Sequence, residues 1–147
     1  MKNTVFVLFV LCFLVSPRVL AQQDVSKLEF QIKSTRLQVA EDVLVINSRI
    51  IRRGDRLIWR QKFRSKTQDQ VFQIRSSEGS WDKKTQEGKI VLRLSSQGEP
   101  YRFVLLRTSK GVVARMFYNS KETGEQEKFV FQVDRIRYQS PNKAQAK

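Results

Sequence analysis

Tyr101-Arg102-Phe103-Val104-Leu105-Leu106-Arg107-Thr108 and Val112-Val113-Ala114-Arg115-Met116-Phe117-Tyr118-Asn119, joined by Ser109-Lys110-Gly111, decide the fold. Both runs are rich in β-branched and aromatic residues, and each is short for a helix. A three-residue joint ending in glycine is what a tight hairpin needs. The pair therefore predicts two antiparallel strands. Both runs are apolar on their two faces, so part of the outside should be covered, either by residues 76–88 or by a partner.

The same grammar extends in both directions. Leu28, Phe30 and Ile32 alternate with Glu29, Gln31 and Lys33, the period-2 pattern of a half-buried strand. Residues 43–51 are rich in β-branched side chains, and Arg53-Gly54-Asp55 supplies turn chemistry before Leu57, Trp59 and Phe63 resume the alternation. Further strands are predicted over 71–75, 89–95 and 128–138. Gly98 with Pro100 marks one turn and Gly124 another, the latter placed for a left-handed position. Only residues 34–42 carry a competing helical spacing, through Leu37, Ala40 and Val43 or Leu44. The longest irregular stretch is 76–88. Short connections imply a meander, so the fold class is all-β: about eight antiparallel strands in a small lipocalin-like barrel or a strongly curved sheet.

The ends read differently. Lys2 precedes an apolar run from Val5 to Val15, and Val19-Leu20-Ala21 closes the segment with a cleavage-site pattern. This is the layout of a secretory signal peptide over residues 1–21, too short for a membrane-spanning helix. Val10-Leu11 ahead of Cys12 do not suit lipidation. The expected organisation is a signal peptide, one β-barrel-like domain over 22–139 and a polar disordered tail over 140–147. The expected location is periplasmic or secreted.

Composition narrows the chemistry. The chain has 28 Lys and Arg against 14 Asp and Glu, no histidine, and a single cysteine. That cysteine, Cys12, belongs to the signal segment. What remains has no imidazole or thiol for a histidine-assisted serine site, a thiol nucleophile or a conventional zinc site. No phosphate-cradling glycine motif is present either. Most carboxylates fall in turns or at strand ends. Asp134 lies within a predicted strand, where pairing with a cross-strand arginine is the ordinary expectation. No enzyme activity, metal or cofactor is expected.

Gly79-Ser80-Trp81 resembles the Gly-x-Trp element of lipocalins, the secreted eight-stranded ligand-binding barrels. The resemblance covers these three residues and the strand count. Lipocalins carry the element on their first strand, whereas several strands precede it here, so no ligand residue is carried over. Trp81 is expected to anchor its loop against the barrel.

Two functional expectations follow. The first is a non-enzymatic carrier whose barrel interior or mouth holds a small apolar or amphipathic ligand, lined by Trp59, Phe63, Phe103 and Phe117. The second is an interaction protein that binds an anionic envelope polymer: lipopolysaccharide, a glycan or extracellular DNA. Its face would be Arg56, Arg60, Lys62 and Arg64, opposite Leu57 and Trp59, together with Arg93. An outer-membrane barrel is disfavoured because the strands look short and several outward positions are arginine.

Overall fold

The computed structural model describes residues 24–140. The predicted signal segment and, save Ser140, the predicted tail lie outside the described residues. A 3₁₀ turn over Val25–Lys27 leads into nine strands: β1 (Phe30–Val39), β2 (Asp42–Arg53), β3 (Arg56–Phe63), β4 (Lys66–Asp82), β5 (Glu87–Ser96), β6 (Glu99–Thr108), β7 (Gly111–Asn119), β8 (Gln126–Gln132) and β9 (Arg135–Tyr138). Every pairing from β2 to β8 is between neighbours in sequence, and all are antiparallel. β1 closes the cylinder. One of its edges takes β2; the other takes β9 along Phe30–Lys33 and β8 along Arg36–Val39. The result is a closed eight-stranded antiparallel barrel with one extra strand, as the alternation predicted.

Two local expectations are corrected, and the competing helical spacing over 34–42 is not used. Residues 34–42 continue β1 into a tight turn, because Leu37 alternates inward and is buried. The predicted strand over 128–138 is two strands. β8 pairs both β7 and β1. The chain leaves β7 at Val133, whose amide donates to Val112, and β9 continues along β1 alone from Asp134, whose amide donates to Lys33. Residues 76–88 are a continuation of the β4–β5 hairpin, not a covering loop. On the outer side of β6 and β7, Val91, Val104, Arg115 and Val130 lie in one cross-strand row.

Glycine makes the long hairpin possible. Gly79 and Gly88 both have positive φ, and a Cβ at either would collide with the opposing strand's carbonyl oxygen, that of Lys89 or Ser80. Beyond this close approach the chain delivers Trp81 into the core, where its Nε1 donates to Tyr138 Oη at 2.8 Å. Trp81 anchors the hairpin to the barrel.

Inward positions fill the cylinder. Phe30, Ile32, Ile50, Leu57, Phe72, Ile90, Leu92, Phe103, Leu105 and Phe131 are sealed from solvent. Fully burying an aliphatic or aromatic side chain of this size contributes about 1.5–3 kcal/mol. An eight-stranded barrel is just wide enough for such side chains to occupy its bore. The 3₁₀ turn stops one end, held there by Arg52, which points inward among the apolar residues. The other end, where Phe63 is exposed beside a surface concavity, is termed the open end.

Candidate functional site

Outward positions on β9, β1, β2 and β3 fall into cross-strand rows. Arg135 lies opposite Lys33, Lys33 opposite Arg49, and Arg49 opposite Arg60. Neighbouring strands are about 4.8 Å apart. Four cations in register therefore form a line about 15 Å long. Only its β3 end is neutralised: Arg60 grips Asp69 of β4 bidentately, with contacts of 2.8 and 2.7 Å. This pairing raises the Arg60 pKa, and the same hydrogen bonds lower that of Asp69. Among the described residues Arg135, Lys33 and Arg49 have no ion pair.

Further cations flank the line. Arg137 stands one row along on β9, Lys62 on β3 opposite Asn47, and Arg53 opposite Arg56 across the β2–β3 turn. Two shallow concavities follow the line, of about 500 Å³ and 270 Å³, and both are lined by Lys33 and Arg49. Between the cationic rows lie Ile51 and Ile58, which face each other across β2 and β3. No aromatic side chain belongs to these rows.

The residues singled out from sequence are distributed unequally. Arg56, Arg60 and Lys62 do share the outer face of β3. Arg64 is not on that face: with φ of 55° it sits in the β3–β4 turn, its guanidinium 5.4 Å above the Phe63 ring. Arg93 belongs to another wall, opposite Ser76 and Arg102. Sequence reasoning missed Lys33 and Arg49 and left Arg135 and Arg137 unassigned. Their outward phase is legible from alternation, and Lys33 meets Arg49 through the β1–β2 hairpin; the closure that brings Arg135 and Arg137 beside β1 is not legible. Asp134 has Thr35, not arginine, as its partner: the Thr35 hydroxyl donates to its carboxylate at 2.8 Å.

The four aromatic lining candidates do not converge. Phe103 is fully buried and stacks on Phe30, with centroids 6.2 Å apart. Trp59 is also buried, edge-on to Phe131 at 5.1 Å, with its Nε1 lacking a hydrogen-bond partner among the described residues. Phe63 is exposed at the rim of the open end, beside a basin of about 730 Å³ that includes Ile46, Gln61 and Gln68. Phe117 faces outward, with the Arg102 guanidinium 4.5 Å above its ring. Among the described residues no group of three or more acidic side chains is placed to hold a metal ion.

No protein-family model matches the chain, and neither a curated protein nor a solved structure gives a significant match. The functional reading rests on the geometry.

The open end also carries a titratable marker. Tyr118 donates to Glu127 at 2.6 Å, and this bond, with burial and the carboxylate's charge, pushes its pKa up to about 12. Because the folded form holds the phenol proton more tightly, this contribution is complete below the ordinary value of 10.0 and is lost as pH rises toward 12. Tyrosinate absorbance should therefore show a late component near 12 that Tyr118→Phe removes. Its persistence in that variant would assign it elsewhere.

Proposed function

We propose that this protein is a non-enzymatic binder of a linear anionic polymer, gripped by the outer face of β9, β1, β2 and β3. The observation that carries the reading is the row Arg135–Lys33–Arg49–Arg60. Like charges directly opposite one another on a sheet cost stability, about 0.2–1 kcal/mol for a pair. A row that repels itself gains compensation when a polyanion lies along it. Guanidinium groups suit carboxylate and sulfate because their paired N–H groups match two oxygens.

The favoured class is an acidic glycan, whose charges repeat on the scale of a sugar ring. Single-stranded nucleic acid is a poorer match, since its bases would find no aromatic platform on this face. Export to an envelope or extracellular location, as the amino-terminal sequence suggests, would bring the protein to such polymers. A small guest in the barrel has less support, because the bore is occupied by Phe30, Phe72, Phe103 and Phe131. The open-end basin beside Phe63 is where such a guest would sit.

The test is affinity for a sulfated polysaccharide measured as salt is raised. The three cations of the row that have no ion pair predict, on releasing counterions, a log–log slope of about −2. Lys33→Glu should weaken binding, whereas Arg93→Glu, on a different wall, should leave it nearly unchanged. Equal losses from both variants would mean that net charge alone binds, and would sink the face. A single-stranded oligonucleotide that outcompetes the polysaccharide would overturn the assignment to glycan.

A further inference from the structure

The first five residues of β2, Asp42-Val43-Leu44-Val45-Ile46, have β1 on one side and no strand on the other, because β3 pairs β2 only from Asn47 onward. Backbone groups in an antiparallel ladder alternate between the two edges. Val39 and Asp42 flank the two-residue turn Ala40-Glu41, so Asp42 and Leu44 direct their N–H and C=O groups toward β1. That phase leaves the groups of Val43 and Val45 aimed past the end of β3 at open space. Their side chains are exposed too, at 61% and 82%, with Leu44 at 42%. An apolar strand edge without a guard is a template for pairing.

We propose that this edge is the contact between two copies of the chain, joined antiparallel about a two-fold axis through Leu44. The segment is self-complementary there. In that register Val43 of one copy lies opposite Val45 of the other, and both carry the outward hydrogen-bonding groups, so four backbone bonds close the seam. Leu44 meets its own counterpart. Charge complements the fit: Glu41 and Asp42, at the tip of one copy, reach the β3–β4 turn of the other, where Lys62, Arg64 and Lys66 stand. Among the described residues these five side chains have no ion pair within their own chain. Because paired antiparallel strands share one sheet, both outer faces lie on the same side, and two cationic rows are presented together.

Sedimentation velocity of the full chain, run without any polyanion from about 1 µM to 1 mM, reads the proposal independently of what the cationic face binds. A concentration-dependent dimer is expected. Val45→Lys, at a position that packs on nothing, should weaken it at least about tenfold by placing a charge on the edge. Its circular dichroism should remain that of the unaltered chain. Glu41→Arg should weaken the dimer, and adding Arg64→Glu should restore it. A monomer throughout this range would overturn the proposal. So would a dimer indifferent to Val45→Lys or to Glu41→Arg.

Discussion

Replacing Arg52 with alanine should lower the unfolding free energy by about 3 kcal/mol, although the residue is a cation in a barrel bore. Arg52 is 1% exposed. Its guanidinium donates to the Val25 carbonyl at 2.6 Å, the Ser26 carbonyl at 2.8 Å and the Ser77 hydroxyl at 3.0 Å. Burial pulls its pKa down, and the carboxylates of Glu29 and Asp24 push the other way. The variant leaves the Ser26 carbonyl and the Ser77 hydroxyl without this donor, and the Val25 carbonyl with only the 3.4 Å bond from the Leu28 amide. A buried acceptor short of a donor costs about 1–3 kcal/mol. It also unties the 3₁₀ turn from β2 and β4. Urea unfolding should give a lower midpoint with an unchanged slope, and amide exchange should accelerate first over residues 25–28. Arg52→Lys keeps the charge but replaces a rigid fork by one ammonium. A smaller loss of about 1–2 kcal/mol is expected for it. Wild-type stability in the lysine variant would show that the fork is not what holds the plug.

Arg52 also marks where local pattern stops being informative. Alternation is a property of a half-buried strand by itself, so β1, β3, β5, β6 and β7 were legible from Phe30, Trp59, Leu92, Phe103 and Ala114 and their polar neighbours. The far part of β4 was not, because Ser76-Ser77-Glu78-Gly79-Ser80 has the composition of a loop. Its polarity has structural causes. Ser77 is where Arg52 finds an acceptor, and Gly79 is where β5 passes too close for a side chain. The break at Val133 was equally hidden, since losing β7 as a partner while keeping β1 is a fact of closure and leaves no period in the sequence. For the site the same division holds. The phase of Arg56, Arg60 and Lys62 was readable along β3. The neighbours that turn them into a face come from β2 and β1, reached through successive hairpins, and from β9, which joins β1 only once the barrel closes.

Arg49→Glu should make the protein more stable and a poorer binder at once. Residue 49 stands between Lys33 and Arg60, so reversal makes both cross-strand contacts attractive, with the larger gain toward Lys33 because Arg60 is already paired with Asp69. Each such contact is worth about 0.2–1 kcal/mol. A net gain of about 1 kcal/mol is expected, read as a higher thermal midpoint that shrinks with added salt. Affinity should move the other way. A basic side chain beside an anionic surface contributes about 1 kcal/mol, and reversal counts twice, which is about a 30-fold loss. Opposite signs in the two measurements are the mark of a side chain retained for binding at the expense of the fold. A general solubilising charge predicts the stability gain without the loss of affinity. A charge that serves the fold predicts destabilisation. Arg49→Thr separates the electrostatic effect from strand propensity: it removes both repulsions with a good strand former, so it should keep about half of each change.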